Sequence, residues 1–181
     1  MKKTFFALIF FSVSLFTAHA QADVVFSTVP VVNNMVVFEY FIHSEQELSA
    51  DQKYAQLQQW GNAQFRGNPM VSGIRFDDRT RTMTVSLRTE LALPSDETIT
   101  MHYRFDVSVT AVGGMVVIRD ISYQQPAANG SIFPTTHTAE QMITDQAVAV
   151  NDDNRMLRNN VRRTTLVYFN RLVTEIAANV F

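Results

Sequence analysis

The segment from Ile99 to Thr110 alternates without interruption between apolar and polar side chains. Because successive side chains of a β-strand point to opposite faces, this period of two predicts a strand with one buried face and one wet face. The apolar positions are Ile99, Met101, Tyr103, Phe105, Val107 and Val109, and the polar ones are Thr100, His102, Arg104, Asp106, Ser108 and Thr110. A strand of this kind needs a second layer to cover its apolar face.

Neighbouring segments extend the pattern into a four-stranded antiparallel meander. A short strand is predicted from Ser72 to Asp77, and the Gly113-Gly114 hairpin leads into a last strand from Met115 to Tyr123. The second strand of the meander has two distinct faces. One face carries Met83, Val85, Leu87, Leu91 and Leu93, and the other carries Thr82, Thr84, Ser86, Arg88 and Glu90. The predicted sheet therefore has one apolar and one polar face.

A first amphipathic helix is predicted before the meander. Ser49 is a good N-cap residue, and Gln52 three positions later completes a capping box. The helical face is formed by Tyr54, Leu57, Gly61 and Phe65, with Trp60 on its flank. Gly67 and the following Asn68-Pro69 end the helix.

Further helices are predicted after the meander. Thr138 caps a segment that runs from Ala139 towards Val150, with Gln141 at its third position. A long helix then extends from Arg155 to about Asn179. Its apolar stripe consists of Leu166, Phe169, Val173, Ile176 and Val180.

The remaining segments complete the predicted topology. Residues 35–43, which are mostly apolar, are expected to form a first strand that is buried on much of both faces, and residues 124–137 are expected to form a loop. The order is β-α-β-β-β-β-α, which predicts a two-layer α+β sandwich with an antiparallel sheet and its helices on one face. We expect one domain over residues 35–181, preceded by an extended leader over residues 21–34.

The first twenty residues have the pattern of a signal peptide. Lys2 and Lys3 precede an apolar run from Phe5 to Phe16, and Ala18-His19-Ala20 provides the small residues of a cleavage site. Cleavage is expected after Ala20, or after Ala22 in a second frame. The protein is then periplasmic or secreted, and the absence of cysteine argues against a lipoprotein. The alternative is a buried N-terminal helix.

Charge and composition limit the function further. Without residues 1–20 the chain has 13 basic and 17 acidic residues, a net charge of −4, and no second apolar run long enough to span a membrane. Nucleic acid is therefore not expected as a partner, since duplex binding needs a basic contact face. The lack of cysteine also excludes disulfides, thiolate metal sites and cysteine nucleophiles.

Several motifs occur together in a recognisable order. They are Val29-Pro30-Val31-Val32-Asn33 before Val36-Val37-Phe38, the helix from Leu48-Ser49-Ala50-Asp51 to Trp60, Tyr103-Arg104-Phe105, Gly113-Gly114, Arg119-Asp120-Ile121, and residues 139–145 before a basic helix. In this ordered set the chain resembles the bacterial envelope family called domain of unknown function 4468. The resemblance implies a TBP-like fold over most of the mature chain. It implies no reaction, and a TBP-like topology does not by itself imply DNA binding.

No catalytic or cofactor motif is present. His43, His102 and His137 are dispersed without metal-ligand spacing, so neither a metal nor a cofactor is predicted. The leading hypothesis is a non-enzymatic envelope binding module for a protein, a polymer or a small ligand. The alternatives are a hydrolase assembled from dispersed Ser, His and Asp residues, and an assembly subunit. A cleft that gathers His102 with a carboxylate and a hydroxyl favours the hydrolase, whereas a flat open face favours binding.

Two groups of residues are candidates for ligand or partner binding. The first lies on the polar sheet face and comprises Arg88, His102 and Arg104. The second is a stripe on the last helix formed by Arg155, Arg158 and Arg162, with Arg163 beside it. Guanidinium groups bind carboxylates and phosphates in a bidentate geometry. The alternative for the stripe is a solvated helix face paired with Asp152 and Asp153 or with Glu140 and Asp145.

Overall fold

A computed structural model of the chain describes residues 25–94, 97–126 and 134–181. The predicted signal peptide and its cleavage sites lie outside these residues. The strands are β1 (Val31–Val32), β2 (Met35–Val36), β3 (Phe38–His43), β4 (Val71–Asp77), β5 (Thr82–Ala92), β6 (Thr98–Thr110), β7 (Gly113–Gln125) and β8 (Thr135–Thr138). The helices are α1 (Ala50–Phe65), α2 (Ala139–Met142), α3 (Asp145–Ala149) and α4 (Arg155–Val180).

The predicted antiparallel meander is confirmed. Strands β4 to β7 pair in sequence order, and β3 adds to the outer edge of β7, which gives the order β3-β7-β6-β5-β4. The predicted inner positions of β5 and β6 are buried; Met83, Val85, Phe105 and Val107 have no exposed surface at all. Their neighbours in the sequence remain partly accessible to solvent.

Both long helices cover the apolar face of this sheet, as predicted. Phe65 of α1 lies edge-on to Phe105 at 5.6 Å between ring centroids. Phe169 of α4 contacts Phe38 at 5.1 Å and Tyr103 at 5.3 Å. The chain is therefore a two-layer α+β sandwich with one core. No helix within the described ranges combines the length and apolar character needed to cross a membrane.

Helix α1 begins and packs as its sequence predicts. Ser49 Oγ accepts from the Gln52 N–H at 3.2 Å, and Gln52 Oε1 accepts from the Ser49 N–H at 2.9 Å. Gly61 allows the helix to approach the sheet, because a Cβ there would lie 2.4 Å from Met83 Sδ. Lys53 was not predicted to be buried, yet it is only 1% exposed and donates from Nζ to the Ala111 carbonyl at 2.6 Å.

The predicted first strand over residues 35–43 is divided in the structure, which corrects that expectation. Strands β1 and β2 form a separate hairpin whose turn residues, Asn33 and Asn34, both have positive φ angles, as a two-residue hairpin turn requires. Strand β3 alone joins the main sheet, where it buries Phe38 and Ile42 on one face. The helices cover only one face of the sheet, which is why burial on both faces of β3 does not occur.

Two further expectations after β7 are corrected. Part of the predicted loop is β8, a threonine-rich strand without apolar alternation that pairs with β7 beyond the end of β3. The helical segment from Ala139 towards Val150 is interrupted at Thr144. Its hydroxyl donates to the Glu140 carbonyl at 2.9 Å and accepts from the Ala147 N–H at 3.2 Å. Thr144 thereby ends α2 and caps α3, since a side-chain cap competes with the continuing helix.

Candidate functional site

The open face of the sheet, opposite the helices, brings dispersed arginines together. The β5–β6 ladder places Ser86 opposite Arg104 and Arg88 opposite His102. Directly opposite residues share one face of the sheet. Arg75 on β4 and Arg119 on β7 join the same face, because they pair with Thr84 and Arg104 respectively. We call these four residues, Arg75, Arg88, Arg104 and Arg119, the arginine patch.

A β-bulge on β7 interrupts the pairing beside Tyr103. Two residues of β7, Asp120 and Ile121, stand opposite Tyr103, and Asp120 has a φ of 55°. An extra residue shifts the alternation by one position, so that Ile118 and Ile121 both point into the core. As a result Arg119 and Asp120 both remain outside the core. Sequence reasoning missed Arg75, Arg119 and Asp120, although the change of apolar parity after Ile118 was a signal of the bulge.

A single carboxylate lies at the centre of the patch. Asp106 accepts from the Thr84 hydroxyl at 2.6 Å and from Arg119 Nε and Nη2 at 3.1 and 2.9 Å. Arg104 Nε lies farther away, 3.7 Å from the Asp106 carboxylate. One carboxylate thus balances the charge of two guanidinium groups. Of the two, only the closer one, that of Arg119, forms hydrogen bonds with it.

Arg104 is left with unused hydrogen-bonding capacity. Its Nε is shielded from solvent without an acceptor, and its guanidinium makes no hydrogen bond to any described residue. The side chain borders two shallow depressions of about 320 and 260 Å³. The first also contains Arg75 and Ser86, and the second contains His102 and Asp120. Arg104 therefore presents cationic donors that lack a hydrogen-bond acceptor among the described residues, between two depressions on the sheet surface.

The second depression has the residue types that a hydrolase needs. His102 borders it together with Ser72, Ser86 and Asp120, so a histidine, two hydroxyls and a carboxylate share one surface. A cleft that gathers His102 with a carboxylate and hydroxyls favours the hydrolase alternative. Within the part of the chain that the structure describes, however, His102 makes no hydrogen bond, and Asp120 lies 3.7 Å from Arg119 instead. The contacts that would activate a serine are absent from this arrangement.

The arginines of α4 lie in the other layer and are engaged within the protein. Arg158 is only 7% exposed, donates to the Val150 carbonyl at 2.8 Å and forms two hydrogen bonds with Asp152, at 2.6 and 3.1 Å. These bonds hold the pKa of the Asp152 carboxyl below its usual value. Arg162 donates to Asp145 at 2.6 Å, whereas Arg155 is exposed. The structure therefore does not bring the two predicted groups of arginines together.

The described residues also form a larger cavity, but they form no metal-binding cluster. The cavity has a volume of about 620 Å³ and is lined by Leu93, Ile99, Met156 and Leu157 among others. Among the described residues, no group of three or more His, Asp and Glu side chains is placed to hold a metal ion.

Two solved structures share this fold. A TBP-like protein from Parabacteroides distasonis superposes with a TM-score of 0.69 at 19% identity, covering 84% of this chain and 99% of its own. A domain of unknown function 4468 family protein from Bacteroides ovatus gives a TM-score of 0.68 at 18% identity, covering 87% and 92%. The expected TBP-like fold is thus confirmed. No sequence-family profile and no curated protein sequence matches the chain.

Proposed function

We propose that the protein is a non-enzymatic binding module whose open sheet face holds an acidic polypeptide segment. The observation that carries the proposal is the guanidinium of Arg104, which lies between two depressions and forms a long ion pair with Asp106 but no hydrogen bond to any described residue. A guanidinium with free donors forms strong, bidentate hydrogen bonds with carboxylates.

Four positive charges converge on the surface that we propose for an anionic partner. Carboxylates also lie on this face, with Asp106 and Asp120 beside the arginine patch and Asp77 and Glu90 farther along β4 and β5. The donors of Arg104 that lack a hydrogen-bond acceptor, and not a net positive charge, favour an anion there. Both depressions are shallow, and neighbouring strands are spaced about 4.8 Å apart. Such a surface suits carboxylates that are distributed along an extended chain better than one enclosed small molecule.

The experiment that tests this function is a calorimetric titration with hexaglutamate at low and physiological salt. We expect saturable binding that weakens as salt rises, because exposed charges are screened. Arg104→Ala should reduce the affinity by about tenfold or more, the value of a lost charge-assisted hydrogen bond. Arg104→Lys should recover only part of the loss, since lysine lacks the planar fork of donors.

Asp106 supplies a control of opposite sign. Asp106→Asn removes a negative charge beside the ligand and should strengthen the binding of hexaglutamate. Arg155→Ala, on the exposed surface of α4, should leave the affinity unchanged. Binding that survives Arg104→Ala, or that is lost only when the α4 arginines are changed, would contradict the proposal.

Export and the exclusion of nucleic acid are part of the same proposal. We propose that the signal peptide is removed after Ala20 or Ala22, so that the mature chain begins at Gln21 or Asp23. Sequencing the N-terminus of protein from the envelope fraction tests this, and finding Met1-Lys2-Lys3 there would contradict it. For duplex DNA we expect a Kd above roughly 10⁻⁶ M at physiological salt. Nanomolar, sequence-dependent binding in an anisotropy titration would overturn that expectation.

A hydrolase is the second candidate, and the grouping of Ser86, His102 and Asp120 in one depression favours it. Under this alternative, ester substrates are cleaved with Ser86 as nucleophile, and Ser86→Ala and His102→Ala each abolish the turnover. Arg155→Ala serves as the matched control with unchanged turnover. Turnover that is equal in all four proteins, including the unaltered one, would eliminate this candidate.

A further inference from the structure

A second and separate cavity lies between the helices and the end of the sheet. Strand β4 begins opposite Leu87, whereas β5 continues to Ala92, so the outer edge of β5 has no strand partner beyond this point. The C-terminal part of α1 and the middle of α4 flank the gap. They line a partly open cavity of about 210 Å³, whose walls include Trp60, Phe65, Tyr103, Tyr168, Leu172 and Glu175 together with polar residues such as Arg88.

The most informative group in these walls is the indole of Trp60. The residue is only 7% exposed, and its Nε1–H is fully buried without a hydrogen-bond acceptor. Buried N–H groups in folded proteins almost always have a partner, so an orphan donor beside a cavity calls for an explanation. An oxygen atom of a bound molecule would supply the missing acceptor.

Two further polar groups define what else the occupant must offer. Glu175 is half-buried, and its carboxylate has no hydrogen bond or ion pair among the described residues. Tyr103 and Tyr168 join their hydroxyl groups at 2.8 Å. Burial, together with the nearby Tyr168 and Glu175, raises the pKa of Tyr103, so its phenol remains neutral. The cavity therefore offers an indole donor, a phenol pair and an anionic acceptor within aromatic walls.

We propose that this cavity binds a neutral ring that carries hydroxyl groups. Hydroxyls both accept and donate, so one such molecule satisfies Trp60 and Glu175 together, while its ring packs against the aromatic walls. A cation would leave the Trp60 donor unsatisfied, and a carboxylate has no hydrogen to donate to Glu175. At about 30 Å³ per water, the volume corresponds to roughly seven water molecules, which is room for a single ring.

The inference does not depend on the arginine patch. Tyr103 and Leu87 reach the cavity from the inner face of the sheet, whereas Arg104 points from the opposite face. Leu87 and Tyr103 also border the second depression of the open face, and Arg88 of the arginine patch lines the cavity, but Arg104 does not. Loss of hexaglutamate binding through Arg104→Ala should therefore leave ring binding intact, and the two proposals can fail separately.

Trp60 is the only tryptophan of the chain, so its indole N–H gives one isolated signal in a ¹⁵N correlation spectrum. We expect this signal to shift saturably on titration with methyl β-glucopyranoside, which is a sugar ring, or with resorcinol, which is a phenolic ring. The compound that gives the larger shift shows whether the cavity prefers a sugar ring or a phenolic ring. Benzylamine and benzoate, as a cation and an anion of similar size, should leave the signal in place.

Two variants test whether the shift of the Trp60 signal results from binding in the cavity. Leu172→Phe fills the space and should abolish the shift. Glu175→Gln keeps the side-chain size and should weaken binding by about five- to tenfold, since a charged acceptor forms the stronger hydrogen bond. Arg171→Ala, at an exposed position of the same helix, is the matched control. No shift with either hydroxylated ring, a shift with benzylamine or benzoate alone, or a shift that persists in both variants would overturn the proposal.

Discussion

The two faces of the sheet are built from alternating residues of the same strands but follow different rules. On the inner face of β6, Tyr103, Phe105 and Val107 are at most 3% exposed and contact other apolar side chains. On the outer face, Arg104 and Asp106 are partly exposed, and Arg104 keeps unsatisfied donors. A shift of one residue along the chain thus separates the packed core from the surface on which we propose that the ligand binds. The inner face carries the packing that stabilises the fold.

The largest effect that tests this division concerns the inner face. Phe105→Ala should lower the free energy of unfolding by about 3–5 kcal/mol, because the residue is fully buried between Phe65 and Tyr103 and leaves a cavity. Ser108→Ala on the outer face of the same strand should change it by less than about 0.5 kcal/mol. Chemical denaturation measures both values. Equal effects would show that the two faces have been assigned incorrectly.

A substitution at Gly113, the first residue of β7, should lower the free energy of unfolding by a somewhat smaller amount. Gly113 has a φ of 154°, and a Cβ there would lie 2.0 Å from the Ile42 carbonyl oxygen of β3. Gly113→Ala should cost about 1–3 kcal/mol in thermal or denaturant unfolding, since the edge strand must move. Gly73→Ala is the matched control, because nothing lies within 4 Å of its added Cβ. A stable Gly113→Ala protein would mean that β3 is not fixed at this edge.

The buried arginine of α4 provides the contrast to Arg104. Arg158→Met should lower stability at neutral pH by about 1–2 kcal/mol, since the buried guanidinium loses its bonds to the Val150 carbonyl and Asp152. Arg155→Ala should have almost no effect on thermal unfolding. If the two substitutions lowered the stability by comparable amounts, the buried contacts of Arg158 would not contribute to the fold, and this account of Arg158 would be wrong.

Because Arg158 and Asp152 form an ion pair, the free energy of unfolding should depend on pH in a definite direction. The pKa of Asp152 is lowered in the folded state from a usual value of 3.8, so the pair stabilises the fold above that pH. The contribution is lost as the pH falls through the lowered pKa. The stability difference between the native chain and Asp152→Asn should therefore be constant near neutrality and shrink below about pH 4. A difference that grows on acidification would contradict this assignment.

The smallest expected change in stability belongs to Arg104. Arg104→Ala should alter the free energy of unfolding by less than about 0.5 kcal/mol, because its contact with Asp106 is a long, partly exposed ion pair. The same substitution should remove most of the hexaglutamate affinity. A large loss of stability would instead identify Arg104 as a structural residue, like Arg158.

The sequence predicted the parts of this fold that depend on local pattern. The alternation in β5 and β6, the Ser49–Gln52 capping box and the α4 stripe all follow from spacing along the chain. The β8 strand could not be found in this way, because its polar threonines are selected by pairing with β7. The candidate site was found only in part: Arg88, His102 and Arg104 share a strand pair, whereas Arg75 and Arg119 lie on the flanking strands β4 and β7.

Arginine side-chain resonances provide the most direct test of which surface binds. The Nε–H of Arg104 is shielded from solvent, so its signal should be observable in a ¹⁵N correlation spectrum during titration with hexaglutamate. We predict that the Nε–H signals of Arg104 and Arg119 shift together and saturably, while those of Arg158 and Arg162 remain in place. Shifts confined to Arg158 and Arg162, with Arg104 unchanged, would move the binding surface to α4 and contradict the assignment of recognition to the open sheet face.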